Sequence, residues 1–366
     1  MRKSYRALMA RGRSEWRRVR TFSSRRALAE SLSAFREWAW ANRQAIRARK
    51  TQERSDYLQR VESLHSRLCR IAGLLWLEGE FTPLVTNGRA AYYYGLLERG
   101  EHRWFLKVGP PHESRYRVHR ALLEGALPRE GHHFACLAPV RAAWLGPAAA
   151  LYAYPYWPRL PGEIKGRHAD PLVARGMAEF NLGLERADAA SAGLRRFSLA
   201  LPALTERDFD GLELPAEARL EEYLTVHHEI RTLWQEKLQI LEALPKGLMH
   251  GDFSLTNFRE WEGRLFLLDL DDAAIGPLGG DLGWMLFYAE RIRDLEKQQR
   301  HIDKAIRRYA AACRQLGHPL EDGQAYRAAR AVYFRKWLFP GVGTQANLQA
   351  LAQRQREALA FLRDLQ

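Results

Sequence analysis

The pattern of apolar and polar positions divides the chain into a helical beginning, a strand-rich middle and a mostly helical remainder. In residues 1–75 apolar side chains recur at helical spacing, which predicts one helix over 23–50 and a second over 53–75. Ser23 or Ser24 would cap the first of these helices. The chain is therefore expected to begin with a helical extension.

Short strands are predicted from residue 81 onwards, because runs of apolar and aromatic residues are interrupted there by turn residues. Three consecutive antiparallel strands are expected over 81–86, 91–98 and 103–108. A helix over 113–127 and two further strands, 140–144 and 151–154, follow them.

Beyond a loop over 155–162 the pattern becomes mostly helical. Helices are expected as far as Leu248 and again from Asp281 to the end of the sequence. Between them, two short apolar runs flank a Glu-Gly pair and predict a β-hairpin over 258–268. A strand-rich part followed by a helical part indicates the α+β class.

Positive charge is concentrated at the beginning of the chain. The formal net charge is +14, and residues 1–50 hold 15 Lys and Arg against three acids, so +12 of it lies there. This basic arm has three interpretations: a helical extension with a solvated basic face, a contact with an anionic membrane surface or lipid-linked acceptor, or a nucleic-acid contact. Nucleic acid is the least favoured of the three.

Composition otherwise indicates an ordinary globular protein, with 46% hydrophobic and 27% charged residues. No run of 18 or more apolar residues is present, and the arginine-rich beginning does not resemble a secretion signal. Cys69, Cys136 and Cys313 are far apart and lack metal-ligand spacing, which indicates reduced thiols. We expect a cytoplasmic protein, with a peripheral position on the inner membrane surface as the alternative.

The candidate chemistry lies in one ordered set of polar residues, His250-Gly251-Asp252, Asn257, Asp269 and Asp281. Phosphoryl transfer from a metal-bound nucleotide requires a carboxylate to orient the attacking hydroxyl, and an amide and a second carboxylate to hold the metal. The predicted hairpin would return Asp269 to the side of Asn257, so that both could bind one metal ion. The set therefore predicts a kinase.

This motif, continued by Leu268-Asp269-Leu270-Asp271-Asp272-Ala273 and Gly276-Pro277, resembles the aminoglycoside phosphotransferase and choline kinase superfamily. Members are small-molecule kinases with a protein-kinase-like fold, and the resemblance covers about residues 80–340. It implies a bilobal α+β fold with an antiparallel-sheet N-lobe over 76–157 and a helical C-lobe over 158–366. Residues 1–75 would form the basic helical extension that precedes them.

The resemblance also implies roles for the motif residues. Asp252 would be the catalytic base, and Asn257 and Asp269 would bind Mg²⁺, with ATP as co-substrate. His250 would brace the catalytic loop by hydrogen bonding, and Asp281 would hold the backbone of that loop. The alternative is that these acids have only a structural role, as helix caps and turn formers.

The phosphate-anchoring lysine is expected on the third strand, where Lys107 lies in an apolar setting. The acidic partner of such a lysine comes from the next helix in the family. Here Tyr116 occupies the corresponding position, and Glu113, one turn earlier, would have to substitute by a small shift. This departure places full activity in question.

Two further nucleotide contacts are expected from the resemblance. Gly88, in the loop between the first two strands, would let backbone amides cradle phosphate, although a plain hairpin turn would look the same. Tyr154 lies in the expected hinge, where backbone groups would contact adenine, and aromatic core packing explains it equally well.

Together these features predict an ATP-dependent phosphotransferase acting on a hydroxyl of a small molecule, such as a sugar, an amino alcohol or a lipid-linked sugar. The alternative is a catalytically silent kinase-like binding module that docks through its basic arm to a membrane, a nucleic acid or a partner. A cationic acceptor would call for an acidic pocket, and the candidate acids are Asp271, Asp272, Glu221 and Glu222.

Overall fold

The computed structural model describes residues 79–84, 93–109, 112–144, 150–156, 167–183, 193–204, 218–292, 294–338 and 348–365, and single positions 52, 55, 56, 59, 162 and 164. The chain divides into two compact units, residues 1–99 and 100–366. The helix predicted over 23–50 and Gly88 lie outside the described residues, and the helix predicted over 53–75 is described only at positions 55, 56 and 59, which are helical. The predicted lobe boundaries remain a prediction.

The first unit contains one antiparallel strand pair. Strand β1 (Glu80–Leu84) pairs with β2 (Tyr93–Arg99) in a register that places Glu80 opposite Glu98 and Leu84 opposite Tyr94. Both strands were predicted, with ends displaced by one or two residues.

The second unit begins with strand β3 (His102–Gly109), and β5 (Arg141–Trp144) and β6 (Ala150–Pro155) follow it. Strand β6 lies between the other two and pairs antiparallel with both. Helix α1 (Glu113–Glu124) connects β3 to the rest and ends where Gly125 adopts a left-handed conformation with φ 77°. The predicted helix was too long, because a left-handed glycine closes a helix more effectively than the proline three residues later.

Two small sheets frame the loop that carries the motif. Strands β4 (Phe134–Cys136), β8 (Phe258–Trp261) and β9 (Arg264–Leu267) form one sheet with β9 in the middle, and β4 runs parallel to β9. The hairpin β8–β9 is therefore confirmed. The other sheet pairs β7 (Lys246–Met249) with β10 (Ala274–Pro277).

The expectation of helix as far as Leu248 was wrong at β7, and β4 and β10 were not predicted. Each of these strands has only three or four residues. A segment that short has no readable period, and its state is decided by a partner that is distant in sequence.

Seven α-helices have described bounds between residues 112 and 365. After α1 they are α2 (Pro171–Leu182), α3 (Ala218–Glu242), α4 (Gly283–Ala289), α5 (Leu295–Gln315), α6 (Asp322–Trp337) and α7 (Leu348–Arg363). Helix α2 packs on α5, α4 packs on α6, and α3 packs on α7. Fully buried aromatic side chains such as Trp234, Tyr309 and Phe334 fill the space between them. None of the helices in the described residues has the length and apolar character that crossing a membrane requires.

Candidate active site

The loop between β7 and β8 is held by the carboxylate of Asp281, which is buried. Its Oδ2 accepts hydrogen bonds from the backbone N–H of His250 at 2.8 Å and the side-chain amide of Asn181 at 3.2 Å, and its Oδ1 accepts from Gly251 N at 2.9 Å. Charge-assisted bonds to two consecutive amides fix the peptide that precedes Asp252. Asp281 therefore lies where the sequence placed it, at the backbone of the loop.

His250 fastens the same loop to the strand hairpin. The ring is fully buried, and Nε2 lies 2.8 Å from the carbonyl oxygen of Leu268, so Nε2 carries the proton and donates. The other nitrogen, Nδ1, accepts from the backbone N–H of Asp252 at 3.3 Å. His250 thus acts on the loop through hydrogen bonds at both ring nitrogens.

Gly251 is required by a close approach of two segments. Its φ is +79°, and a Cβ at this position would lie 2.0 Å from the backbone oxygen of Asp272. Any other residue would combine a left-handed backbone with a direct collision. The glycine therefore lets the loop pass against the segment that follows β9.

Asp252 and Asn257 face each other across the turn. The side-chain amide of Asn257 donates two hydrogen bonds to Asp252, one to the backbone oxygen of Asp252 at 2.9 Å and one to its Oδ2 at 3.1 Å. Burial raises the pKa of Asp252 above its ordinary value, and the nearby charge of Lys336 opposes that rise. The backbone N–H of Leu268 donates to the oxygen of Asn257 at 2.8 Å, which brings the end of β9 to the side of Asn257.

Asp269 follows directly and has a left-handed backbone, φ 56° and ψ 62°, that non-glycine residues rarely adopt. Its side chain is 49% exposed, and Oδ1 accepts from the ammonium of Lys107 at 2.9 Å. Backbone strain at a half-exposed carboxylate is a common mark of a functional position.

Lys107 also contacts a second carboxylate, and this contact was not anticipated. Its Nζ donates to Oδ2 of Asp271 at 2.7 Å, and Oδ1 of Asp271 lies 2.7 Å from Nε2 of His119 on helix α1. The side chains of Lys107 and Asp271 are 9% and 11% exposed. Burial opposes ionisation of both groups, yet the hydrogen bond from His119 and the charge of Lys107 hold the pKa of Asp271 below its usual range. The two carboxylates likewise raise the pKa of Lys107 against the effect of burial.

The lysine partner expected at Glu113 is therefore supplied elsewhere. Glu113 is exposed and pairs with Arg117, one turn further along the same helix. Helix α1 contributes His119 instead, which reaches Lys107 indirectly through Asp271. An i,i+4 pair on an exposed face satisfies Glu113 locally, so no shift toward the lysine occurs.

The remaining acid of the motif, Asp272, is bound by two arginines. Its Oδ1 accepts from Arg115 at 3.3 Å and from Arg195 at 3.2 Å, and its backbone oxygen accepts from Arg195 at 2.9 Å. Glu221 and Glu222 lie exposed on α3. The acids that could have formed an acidic acceptor pocket are thus either neutralised or at the surface.

The oxygen atoms of Asn257 and Asp269 suit a magnesium ion. Both hydrogens of the Asn257 amide are used on Asp252, which leaves its Oδ1 as the group available to a ligand, with Thr256 Oγ1 3.4 Å away. Oδ2 of Asp269 has no hydrogen-bond partner in the described part of the chain. No group of three or more His, Cys, Asp and Glu side chains there could hold a metal by itself. Mg²⁺ is usually held by one or two protein oxygens, and water and phosphate oxygens complete its coordination.

Lys336, on helix α6, also contacts the loop between β7 and β8. Its ammonium donates to the backbone oxygen of Gly251 and lies 5.2 Å from the ring centre of Trp284 and 5.9 Å from that of Trp337. Burial lowers the pKa of Lys336, while Asp252, Asp281 and Asp272 raise it. This contact was not predicted from the sequence, because the two segments are 85 positions apart along the chain.

Other supports of the loop were also missed. Asn181, on α2, donates to Leu248 O at 2.5 Å and accepts from the hydroxyl of Tyr309 at 2.6 Å, and both residues are buried. His168 bonds the carbonyl oxygen of Phe253 at 3.0 Å. A polar residue in an otherwise apolar helix face, such as Asn181, is the signal that could have been noticed.

Tyr154 is buried in the sheet of β3, β5 and β6. Its ring packs against Phe105 and His119, and its hydroxyl lies 3.5 Å from Nδ1 of His119. The side chain therefore belongs to the aromatic core, which was one of the two interpretations of this residue. Its backbone contact with adenine remains a prediction.

The fold and site define a phosphotransferase of the kinase-like class. The model of the phosphotransferase enzyme family, APH, matches residues 84–311, and the chain belongs to this family. The assignment confirms the expected resemblance, the α+β kinase-like fold, and an enzyme that transfers phosphate to an alcohol group.

Solved structures with the same fold include an amicoumacin kinase in complex with AMP-PNP and Ca²⁺, at 15% identity and a TM-score of 0.50. That match covers 82% of this chain and 95% of the kinase. A microcompartment-associated aminopropanol kinase is also similar, at 15% identity and a TM-score of 0.50, over 81% of this chain and 94% of the other. No match was found among the curated proteins.

Proposed function

We propose that this phosphotransferase transfers the γ-phosphate of ATP to a hydroxyl group of a small molecule, with Asp252 as the base and Asn257 and Asp269 as the magnesium ligands. The observation that carries the proposal is that Asn257 is hydrogen-bonded to Asp252 and Lys107 to Asp269, while the backbone bond from Leu268 N to Asn257 O brings the two pairs together. Each group has the chemistry that its role demands, and the backbone of the loop is fixed by charged partners.

Asp252 is placed to orient and deprotonate the acceptor hydroxyl. One of its oxygens, Oδ2, receives the Asn257 amide, and the other is available to the acceptor. Partial burial raises its pKa, which makes the carboxylate a better proton acceptor at the moment of attack. The peptide before it is held by Asp281 and His250, so the carboxylate keeps its direction without help from a ligand.

Lys107 would bind the donor phosphates from the side of the sheet. It lies on β3 between the carboxylates of Asp269 and Asp271, which keep it protonated and restrict its position. Bound magnesium supplies charge neutralisation of the phosphates during transfer. Asn257 and Asp269 would hold it, and Lys107 would steady the phosphates beside it.

The silent binding module was favoured by the missing helix glutamate and by the single glycine of the loop between the first two strands. Asp271 provides Lys107 with an acidic partner from another segment, and His119 provides the link to helix α1. The argument from the missing glutamate therefore loses its force, whereas the glycine loop lies outside the described residues. Contact of the basic arm with an anionic membrane surface, a lipid-linked acceptor or a nucleic acid remains a proposal, as does a cytoplasmic or membrane-peripheral location.

The proposal is tested with Asp252→Ala, Asp269→Ala and the control Asp303→Ala, which removes an exposed carboxylate of helix α5. Thermal stabilisation by ATP is measured with and without Mg²⁺, and phosphate transfer is measured against a panel of hydroxyl compounds. We expect Mg-dependent stabilisation that Asp269→Ala abolishes and Asp252→Ala retains. Loss of the base should lower turnover about 10²- to 10⁴-fold.

Two outcomes would contradict the assignment. Wild-type protein that ATP does not stabilise, with or without Mg²⁺, would favour a silent module. Unchanged turnover in Asp252→Ala or Asp269→Ala would show that the chemistry depends on other residues.

A further inference from the structure

Two cationic side chains of the protein lie over the aromatic surface beside the catalytic loop. Helix α4 presents Trp284, Phe287 and Tyr288, all half-buried, next to Trp337 of α6. Aromatic faces of this kind bind cationic ligands when they are vacant. Here the ammonium of Lys336 lies over Trp284, and the guanidinium of Arg291 lies 4.5 Å from the ring centre of Tyr288.

The acids around this surface are also committed to partners. Asp281 accepts three hydrogen bonds from the loop and from Asn181, and Asp272 is bound by Arg115 and Arg195. Glu290, at the end of α4, binds Arg354 through both of its oxygens, at 2.8 and 2.7 Å. A cationic acceptor would have to displace these partners before it found a counter-charge.

Lys336 itself has capacity for another partner. An ammonium has three N–H donors, and within the described residues the carbonyl of Gly251 is its hydrogen-bond acceptor. The side chain is half-buried, and burial lowers its pKa. Asp252, Asp281 and Asp272 offset part of this cost of burying the charge, and a ligand anion in direct contact would offset it further. Because Gly251 immediately precedes Asp252, an anion on Lys336 would lie beside the proposed base.

We propose that the acceptor carries an anionic group, a carboxylate or a phosphate, which Lys336 binds while the hydroxyl to be phosphorylated lies at Asp252. This inference rests on the proposed function and names the substrate class of the same site. It also agrees with the engagement of two motif acids in the described part of the chain, where Asp271 is paired with Lys107 and Asp272 with two arginines.

The test compares hydroxyl compounds that differ in one substituent. The probes are glucose, glucosamine, glucuronate and glucose 1-phosphate, and a second set of glycerol, 2-amino-1,3-propanediol, glycerate and glycerol 1-phosphate. Initial rates of ATP-dependent phosphorylation give kcat and KM for each compound. The carboxylate and phosphate members of each set distinguish the two sources of negative charge.

Variants separate charge recognition from support of the loop. Lys336→Met should raise KM for anionic acceptors about 10- to 100-fold, the range expected for losing a hydrogen bond to a charged group. Lys336→Arg, which keeps the charge, should recover most of this loss. Lys304→Met, which removes an exposed lysine of α5, is the matched control and should leave KM unchanged.

Stabilisation by Mg-ATP is measured for every variant, so failure of the two proposals can be told apart. If wild-type protein shows no such stabilisation, the proposed function fails and this inference with it. If nucleotide binding is present, three results overturn only the anionic acceptor: preference for the amino or neutral members, no turnover of any anionic member, or equal losses for all acceptors in Lys336→Met. Preference for the anionic members, lost in Lys336→Met and restored in Lys336→Arg, supports it.

Discussion

Replacement of Asp271 by Asn tests whether this carboxylate is the structural partner of the phosphate-binding lysine. The substitution keeps the size of the side chain and an oxygen that can accept from His119, but it places an amide against the ammonium of Lys107. Both side chains of the ion pair are about nine-tenths buried. Removing one partner of a buried pair costs about 3–5 kcal/mol, because the other charge is left without compensation.

The expected loss of stability is smaller than that full range. Lys107 keeps its contact with Asp269 at 2.9 Å, and that carboxylate is half-exposed. We therefore expect Asp271→Asn to lower the free energy of unfolding by about 2–3 kcal/mol. Asp272→Asn is the matched control, because Asp272 is 36% exposed and its arginine partners are 22% and 44% exposed. An exposed pair of this kind contributes about 0–1 kcal/mol.

Denaturant unfolding at several pH values supplies the measurement. The pKa of Asp271 is lowered on folding, so its contribution is complete above the unfolded pKa of about 4 and is lost as pH falls toward the folded value. The difference in stability between wild type and Asp271→Asn should therefore shrink in acid. Equal stability of Asp271→Asn and Asp272→Asn at neutral pH, or a difference that does not depend on acid pH, would refute the reasoning.

Two further predictions concern the catalytic loop. Burial raises the pKa of Asp252, and the base must be ionised to act. We therefore expect kcat/KM to fall in acid through an ionisation above the ordinary carboxyl pKa of about 4. An acid limb at or below that value would contradict the assignment. Gly251→Ala should lower the free energy of unfolding by more than about 1 kcal/mol in thermal or denaturant unfolding, because φ is +79° and the new Cβ would lie 2.0 Å from Asp272 O. The control is Gly323→Ala at an exposed position of α6, where a Cβ would meet no other atom within 4 Å, and it should show no such loss.

The sequence predicted those features that depend on residues close together in the chain. The β8–β9 hairpin follows from a Glu-Gly turn between two apolar runs, and the loop from His250 to Asn257 follows from its own motif. Lys107 could be placed because it has apolar neighbours on a long strand, and because the resemblance puts the phosphate-binding lysine on the third strand. In each case the local pattern and the fold demand the same structure.

The features that the sequence did not predict depend on contacts between distant segments. Asp271 reaches Lys107 across 164 positions, and His119 reaches Asp271 across 152. Nothing in the sequence around Tyr116 and Glu113 could reveal that Asp271 is the acidic partner of Lys107. The contact of Lys336 with Gly251 spans 85 positions and depends equally on tertiary packing.

Gly251 is held at both of its backbone polar groups by opposite charges from separate parts of the fold. Its N–H is bound to the carboxylate of Asp281, and its C=O is bound to the ammonium of Lys336. Asp281 is tied through Asn181 to helices α2 and α5, whereas Lys336 belongs to the surface formed by α4 and α6. Substitutions on α4 and α6 that leave Lys336 in place would therefore change the surface beside the base while Asp281 and Lys336 still hold Gly251, which makes the other positions of those two helices the place to redesign the enzyme for a new substrate.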